Sequence, residues 1–131
     1  MELTKEDLRR ALDVREGIHA LLKANNGAKL DVEAVRRLDT AAVGARIEVR
    51  FESDGSVRFV AASSSFADVL GSLLGMVATA RLHEDWRRFK ACADRECRAA
   101  FWAPQMKGKW CSHRCGDRVR GKMRRGAIGT G

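Results

Sequence analysis

Four cysteines in two close pairs, Cys92-x4-Cys97 and Cys111-x3-Cys115, constrain this chain more than any other feature. Two such pairs separated by a short segment can surround one tetrahedral zinc ion with four thiolates. A Zn–S distance of ~2.3 Å places neighbouring sulfurs about 3.5–4 Å apart. A tight loop meets that requirement for the first pair. A helical turn meets it for the second, because residues i and i+4 share a helix face. Four thiolates fill the coordination shell, so a metal held by Cys92, Cys97, Cys111 and Cys115 is structural rather than catalytic. His113, between Cys111 and Cys115, is a surplus donor and reads as a surface group. His19 and His83 have no assigned role.

Redox setting decides between zinc and disulfides. The start, MELTKEDLRRALD, lacks the apolar core of a signal peptide, and no apolar run approaches the ~20 residues of a membrane-spanning helix. A cytoplasmic protein with no membrane partner is expected, and there thiols stay reduced.

Charge divides the chain in two. Residues 1–80 carry 11 Lys/Arg and 12 Asp/Glu, a net −1, while residues 81–131, which hold the cysteines, carry 14 and 5, a net +9, giving the overall +8. All three tryptophans, Trp86, Trp102 and Trp110, are there too. A neutral module followed by a basic, metal-stapled one points to a polyanionic partner, DNA first. RNA is an alternative nucleic-acid partner. A protein-docking adaptor is an alternative role, and a second copy of the chain, giving a homodimer, is a further partner.

Periodicity places the elements. Residues 4–24 read as a helix N-capped by Thr4, with an apolar stripe from Leu8 to Leu22 and a stop at Asn25-Asn26-Gly27. Asp31 opens a second helix to about Ala42, with Val32, Val35 and Leu38 expected inside. Residues 46–61 alternate as a hairpin. A three-residue loop, Ser53 to Gly55, pairs Phe51 with Val57 and Val49 with Phe59, keeping one apolar face continuous. A third helix from about Phe66 to Leu82 carries the most apolar face: Phe66, Val69, Leu70, Leu73, Leu74, Val77 and Ala80. Gly71 and Gly75 on it read as close-packing positions.

Beyond it, a short helix at 84–90 leads to the first cysteine pair. Ala99 to Trp110 reads as a small hairpin between the two pairs, and Arg114 to Arg125 as a terminal helix. The expected fold is α+β: a helical domain with a β-hairpin at 1–82, a treble-clef-like or ribbon-like four-cysteine finger at 83–125, and a flexible tail at 126–131. Trp102 and Trp110 are expected to be buried, with base stacking as the alternative.

On the terminal helix Cys115, Val119 and Met123 should pack inward, and Arg114, Arg118, Lys122 and Arg125 fall on an adjacent face. With Lys107, Lys109, Arg120 and Arg124 they form the expected nucleic-acid contact set. For Arg118 the alternative role is to offset the −2 charge of a zinc ion held by four thiolates. No nucleophile–base pattern, phosphate loop or His-Glu metal motif occurs, so an enzyme is not expected.

The strings WRRFKACADRECRAAFW and KWCSHRCGDR resemble the CGNR-type zinc finger of bacterial stress-induced transcriptional regulators. The resemblance implies zinc ligation by the four cysteines, DNA binding and a regulatory role. The upstream part, with LRRALDVREGIHALL, is similar to the α/β domain that precedes this finger in that family. Asp117 stands where the family has Asn, and the second cysteine pair is one residue shorter than the family's usual spacing. The chain begins near the family's first long helix, so the segment that precedes it in the family is expected to be absent.

Overall fold

The computed structural model describes residues 2–129, with side chains through Arg125. Among them are four α-helices and two small antiparallel hairpins, an α+β arrangement. The chain divides into two compact units, one from the residues up to Ile18 and Val32–Trp86, the other from His19–Asp31 and the residues after Trp86. Sequence alone suggested a contiguous boundary near residue 82; residues 19–31 belong instead with the cysteine-bearing unit.

Helix α1 (Lys5–Asn25) starts with a reciprocal cap. The Asp7 amide donates to Thr4 Oγ1 (3.1 Å) and the Thr4 amide donates to Asp7 Oδ2 (3.0 Å). It ends in a Schellman turn, with Ala28 N–H on the Lys23 carbonyl, Gly27 N–H on the Ala24 carbonyl, and Gly27 at φ +90°.

In the first unit, α2 (Val32–Ala42) and α3 (Phe66–Leu82) join α1 around Val14, Ala41 and Leu70, with Ile18, Leu38, Phe66 and Leu74 packed on them. Val32, expected inside, is 70% exposed, and Ala34 and Ala41 are buried instead. Val32 is the first residue of α2. Gly17 lets α2 approach α1 closely: a Cβ there would lie 2.4 Å from Leu38 Cβ and 3.1 Å from the Ala34 carbonyl oxygen. Val69 and Leu73 on α3 are likewise exposed, and the apolar residues it sends to this core are Leu70, buried, with Phe66 and Leu74 partly buried beside it.

Strands β1 (Ile47–Phe51) and β2 (Val57–Ala61) pair with Phe51 opposite Val57 and Val49 opposite Phe59, the register expected from sequence. The three-residue loop closes with the Glu52 amide on the Ser56 carbonyl (2.9 Å) and Gly55 at φ +86°. Helix α3 lies on the apolar face of this hairpin: a Cβ at Gly71 would meet Ala45 Cβ at 2.7 Å, and one at Gly75 would meet the Phe59 ring at 3.1 Å. Buried Asp68 ties the two together, accepting from the Arg46 amide (2.8 Å), the Arg46 guanidinium (3.1 Å) and the Ser63 hydroxyl (2.6 Å). The Ser63 hydroxyl and the Arg46 amide hold the Asp68 carboxyl below the usual carboxylate range.

The second unit departs from expectation at its hairpin. The segment Glu84–Arg88 is a 3-10 helix, followed by strand β3 (Phe89–Ala91). Its partner is β4 (Ala100–Trp102), with Phe89 opposite Trp102 and Ala91 opposite Ala100. The hairpin therefore encloses the first cysteine pair instead of lying between the two pairs. The Cys92 amide donating to the Ala99 carbonyl (2.7 Å) closes that loop, while Lys109 contributes its carbonyl to the Ala93 amide (2.9 Å). Helix α4 (His113–Gly129) continues past Arg125, where the sequence reading placed the start of a flexible tail. Residues 130 and 131 of that tail lie outside the described residues.

Candidate metal centre

The loop of the β3–β4 hairpin is shaped by Asp94. Its carbonyl accepts from the Cys97 amide (3.1 Å) and the Arg98 amide (3.3 Å), and its Oδ1 accepts from the Glu96 amide (3.1 Å). An aspartate that bonds the backbone two residues on is an Asx turn. Arg98 follows in the left-handed region at φ +57°. These bonds fold residues 92–98 so that Cys92 and Cys97 face the same point.

The second pair opens α4. Ser112 Oγ accepts from the Cys115 amide (3.4 Å) as a helix cap, which sets Cys111 just before the helix and Cys115 in its first turn. Gly116 is buried because Trp110 covers it; a Cβ there would lie 3.0 Å from the indole ring.

All four Sγ atoms lie within 4.8 Å of one another. Cys97 Sγ is 3.4 Å from Cys111 Sγ, and Cys111 Sγ is 3.6 Å from Cys115 Sγ. These separations are far longer than the ~2.05 Å of a disulfide and match the sulfur spacing of a tetrahedral thiolate site. The four cysteines are free, and Cys92 and Cys115 are buried. Hydrogen bonding to Cys97, then burial, push the Cys111 thiol up to about 12. The Ala99 backbone, then Cys111, hold the Cys97 thiol below its ordinary value. Crowded sulfurs cannot all ionise without a cation between them, and the Cys111 amide already donates to Cys92 Sγ (3.4 Å). The donor set fits one structural metal ion. His113 is exposed and outside the thiol cluster.

Two further anchors escaped the sequence reading. The side-chain amide of Asn26 donates to the Ala91 carbonyl (2.9 Å) and the Lys109 carbonyl (2.8 Å), and that of Asn25 donates to the Phe89 carbonyl (2.8 Å). The residues that stop α1 thus also staple its last turn to the cysteine-bearing hairpin. Lys90 is buried and donates from Nζ to the Met106 carbonyl (2.5 Å) and the Gly108 carbonyl (2.9 Å), fixing the 104–108 loop. Burial, then the charge of Lys109, lower its pKa. Aspartate is a common turn-former, so Asp94 within the first cysteine loop carried a weak signal; nothing in the string marks Lys90 or the reach of Asn26.

The basic residues separate into two groups. Arg118 Nε lies 2.7 Å from Asp94 Oδ2, its terminal nitrogen contacts the same oxygen, and that nitrogen donates to Cys115 Sγ at 3.7 Å. Arg120 pairs with Asp117 (2.6 Å) and lies over Trp110, 5.1 Å from the ring centre. Lys122 pairs with Glu96 (2.5 Å). By contrast Lys107, Lys109, Arg114, Arg124 and Arg125 are exposed and have no ion pair among the described residues. Trp102, expected inside, is 44% exposed and packs edge-on to Phe89 (4.8 Å).

No protein-family model matches this chain, and no curated protein matches it. No helix among the described residues is long and apolar enough to cross a membrane.

Proposed function

We propose that the chain is a zinc-dependent DNA-binding protein acting in transcriptional regulation, and not an enzyme. The observation that carries this reading is the coupling of the four-thiol cluster to α4. Cys115 sits in the first turn of a helix whose exposed cations, Arg114, Arg124 and Arg125, are left available by the internal pairing of Arg118, Arg120 and Lys122. Zinc suits four thiolates in a closed shell. Its role here is to hold the hairpin and the helix start together, so that the free cations of Lys107, Lys109 and α4 meet phosphates as one preformed surface. Arg118 acts as a structural counter-charge to the thiolates, and Asp117 is neutralised by Arg120.

The test is selection from a random duplex pool with zinc-loaded protein, followed by gel-shift titration of the enriched sequences. An enriched motif whose binding disappears on metal removal supports the reading. Affinity retained after verified metal removal, or no shift with any duplex at low salt, overturns it in favour of a protein-docking adaptor. Stronger competition by hairpin RNA than by duplex DNA overturns it in favour of RNA binding.

A further inference from the structure

Strand β1 leaves one edge open, and that edge has an unusual sequence. The backbone bonds at the two ends of the hairpin, Glu52 N–H to the Ser56 carbonyl and Ala62 N–H to the Arg46 carbonyl, show that the even-numbered residues of β1 face β2. By alternation the N–H and C=O groups of Ile47, Val49 and Phe51 point the other way. Among the described residues, no hydrogen bond from a turn, loop or side chain reaches them. Their side chains are also poorly covered: Ile47 is 38%, Val49 51% and Phe51 77% exposed. An open edge beside exposed apolar residues is a pairing template.

The string Arg46-Ile47-Glu48-Val49-Arg50-Phe51-Glu52 says what fits it. Its charges change sign on reflection about Val49, with Glu48 mirrored by Arg50 and Arg46 by Glu52. If two copies of β1 pair antiparallel with Val49 opposite Val49, Glu48 faces Arg50 of the other copy and Arg46 faces Glu52. Ile47 then faces Phe51, and the apolar face runs on unbroken. The odd residues, whose backbone groups are open, become the hydrogen-bonded pairs, so pattern and geometry agree. The neighbouring registers fail. Centring on Glu48 sets Glu48 against Glu48 and Arg46 against Arg50, and centring on Arg50 sets Arg50 against Arg50 and Glu48 against Glu52. Like charges directly opposite on a sheet are destabilising, so one register is selected.

We infer that β1 is the seam of a two-fold homodimer, a four-stranded sheet with strand order β2-β1-β1-β2 centred on Val49. The interface is isologous, as a two-fold axis demands. In the single chain Glu48 already pairs with Arg50 (2.8 Å), and pairing across the seam gives each a second partner. The contact is a single strand edge, smaller than the ~1,200–2,000 Å² of a standard interface, so association depends on protein concentration. It rests on the first unit and is independent of the metal and DNA readings.

Sedimentation of the full, zinc-loaded chain over a concentration series tests this without DNA. The wild type should pass from monomer to dimer. Val49→Pro removes an N–H that serves the seam and not the hairpin, and should weaken the dimer at least ~10-fold with the far-ultraviolet circular dichroism unchanged. Glu48→Arg and Arg50→Glu should each weaken it similarly, and mixing the two variants should restore a dimer containing one of each. A wild type that stays monomeric up to its solubility limit overturns the proposal. So does a dimer indifferent to all three substitutions. Failure of the mixture to reassociate overturns the register.

Discussion

Arg118, in the second turn of α4, closes on Asp94 in the first cysteine loop, with Nε 2.7 Å from Oδ2 while the other carboxylate oxygen accepts the Glu96 amide. One buried side chain therefore shapes the loop that aims two sulfurs and fixes the helix that supplies a third. The Glu96 amide, then Arg118, hold the Asp94 carboxyl below the usual carboxylate range against the opposing effect of burial. Asp94→Asn should weaken zinc affinity by about 10–100-fold, the usual effect of losing an outer-sphere partner, and Arg118→Met should do the same. Competition with a chromophoric chelator measures both. Since the lowered carboxyl stabilises the folded state above its unfolded pKa and loses that contribution as pH falls through its folded value, the effect of Asp94→Asn should persist at neutral pH.

Metal binding should be steeply pH-dependent. Cys111 rises to about 12 when the sulfurs lack a cation. Zinc must displace the thiol protons, so the apparent affinity should fall as pH falls and binding should release protons into the buffer. Calorimetry in buffers of different ionisation enthalpy reads the proton count. Zinc binding contributes ~10–16 kcal/mol in comparable small modules. Chelation should therefore melt the cysteine-bearing unit, while the helices around Val14, Ala41 and Leu70 stay folded. Circular dichroism would then lose part of its helical signal and keep the rest. A complete loss, or none, contradicts this.

Local signals were legible where a short stretch of chain decides the outcome. Thr4 and Gly27 bounded α1, and the alternation about Ser53-Asp54-Gly55 gave the β1–β2 register residue by residue, because a one-residue slip would have put Arg58 on the apolar face. The thiol quartet was legible from spacing. What sequence could not supply was which distant segments meet. Ala99 to Trp102 can pair equally well with residues on either side of it. The choice of Phe89–Ala91 is fixed by tertiary bonds, Asn26 to Ala91 and Lys109 and Lys90 to Met106 and Gly108, that leave no periodic trace. The close approach of Leu38 to α1 leaves no periodic trace either, since it depends on the absent Cβ of Gly17.

Glycine substitutions should have opposite signs at different positions. Gly17→Ala places a Cβ 2.4 Å from Leu38 Cβ, which cannot rotate away, so α1 and α2 must part. The overpacking cost of about 1–3 kcal/mol exceeds the ≲1 kcal/mol that alanine contributes through helix propensity, so the thermal midpoint should drop. On α4, Gly121→Ala meets only the Arg125 guanidinium at 3.8 Å and should stabilise the helix by up to ~1 kcal/mol. Gly116→Ala meets the Trp110 ring at 3.0 Å and should lose that advantage. Thermal denaturation of the three zinc-loaded variants checks the order Gly121→Ala, Gly116→Ala, Gly17→Ala from most to least stable.

The two groups of cations should behave differently in DNA binding. Arg114, Arg124 and Arg125, with Lys107 and Lys109, are exposed without ion pairs among the described residues, while Arg120 and Lys122 are paired to Asp117 and Glu96. Exposed pairs contribute ~0–1 kcal/mol to stability, so replacing Lys122 or Arg120 should leave the fold intact. A paired cation must give up its carboxylate to reach a phosphate, so its loss should also matter less for binding. Each free cation that touches a phosphate contributes about 0.9 to the slope of log affinity against log salt. Arg114→Gln, Arg124→Gln and Arg125→Gln should therefore each flatten that slope by about 0.9 and weaken binding across sequences. Lys122→Gln should change the slope by much less. Fluorescence anisotropy at several salt concentrations separates the groups, and slopes unchanged from the wild type in all four variants would remove α4 from the DNA interface.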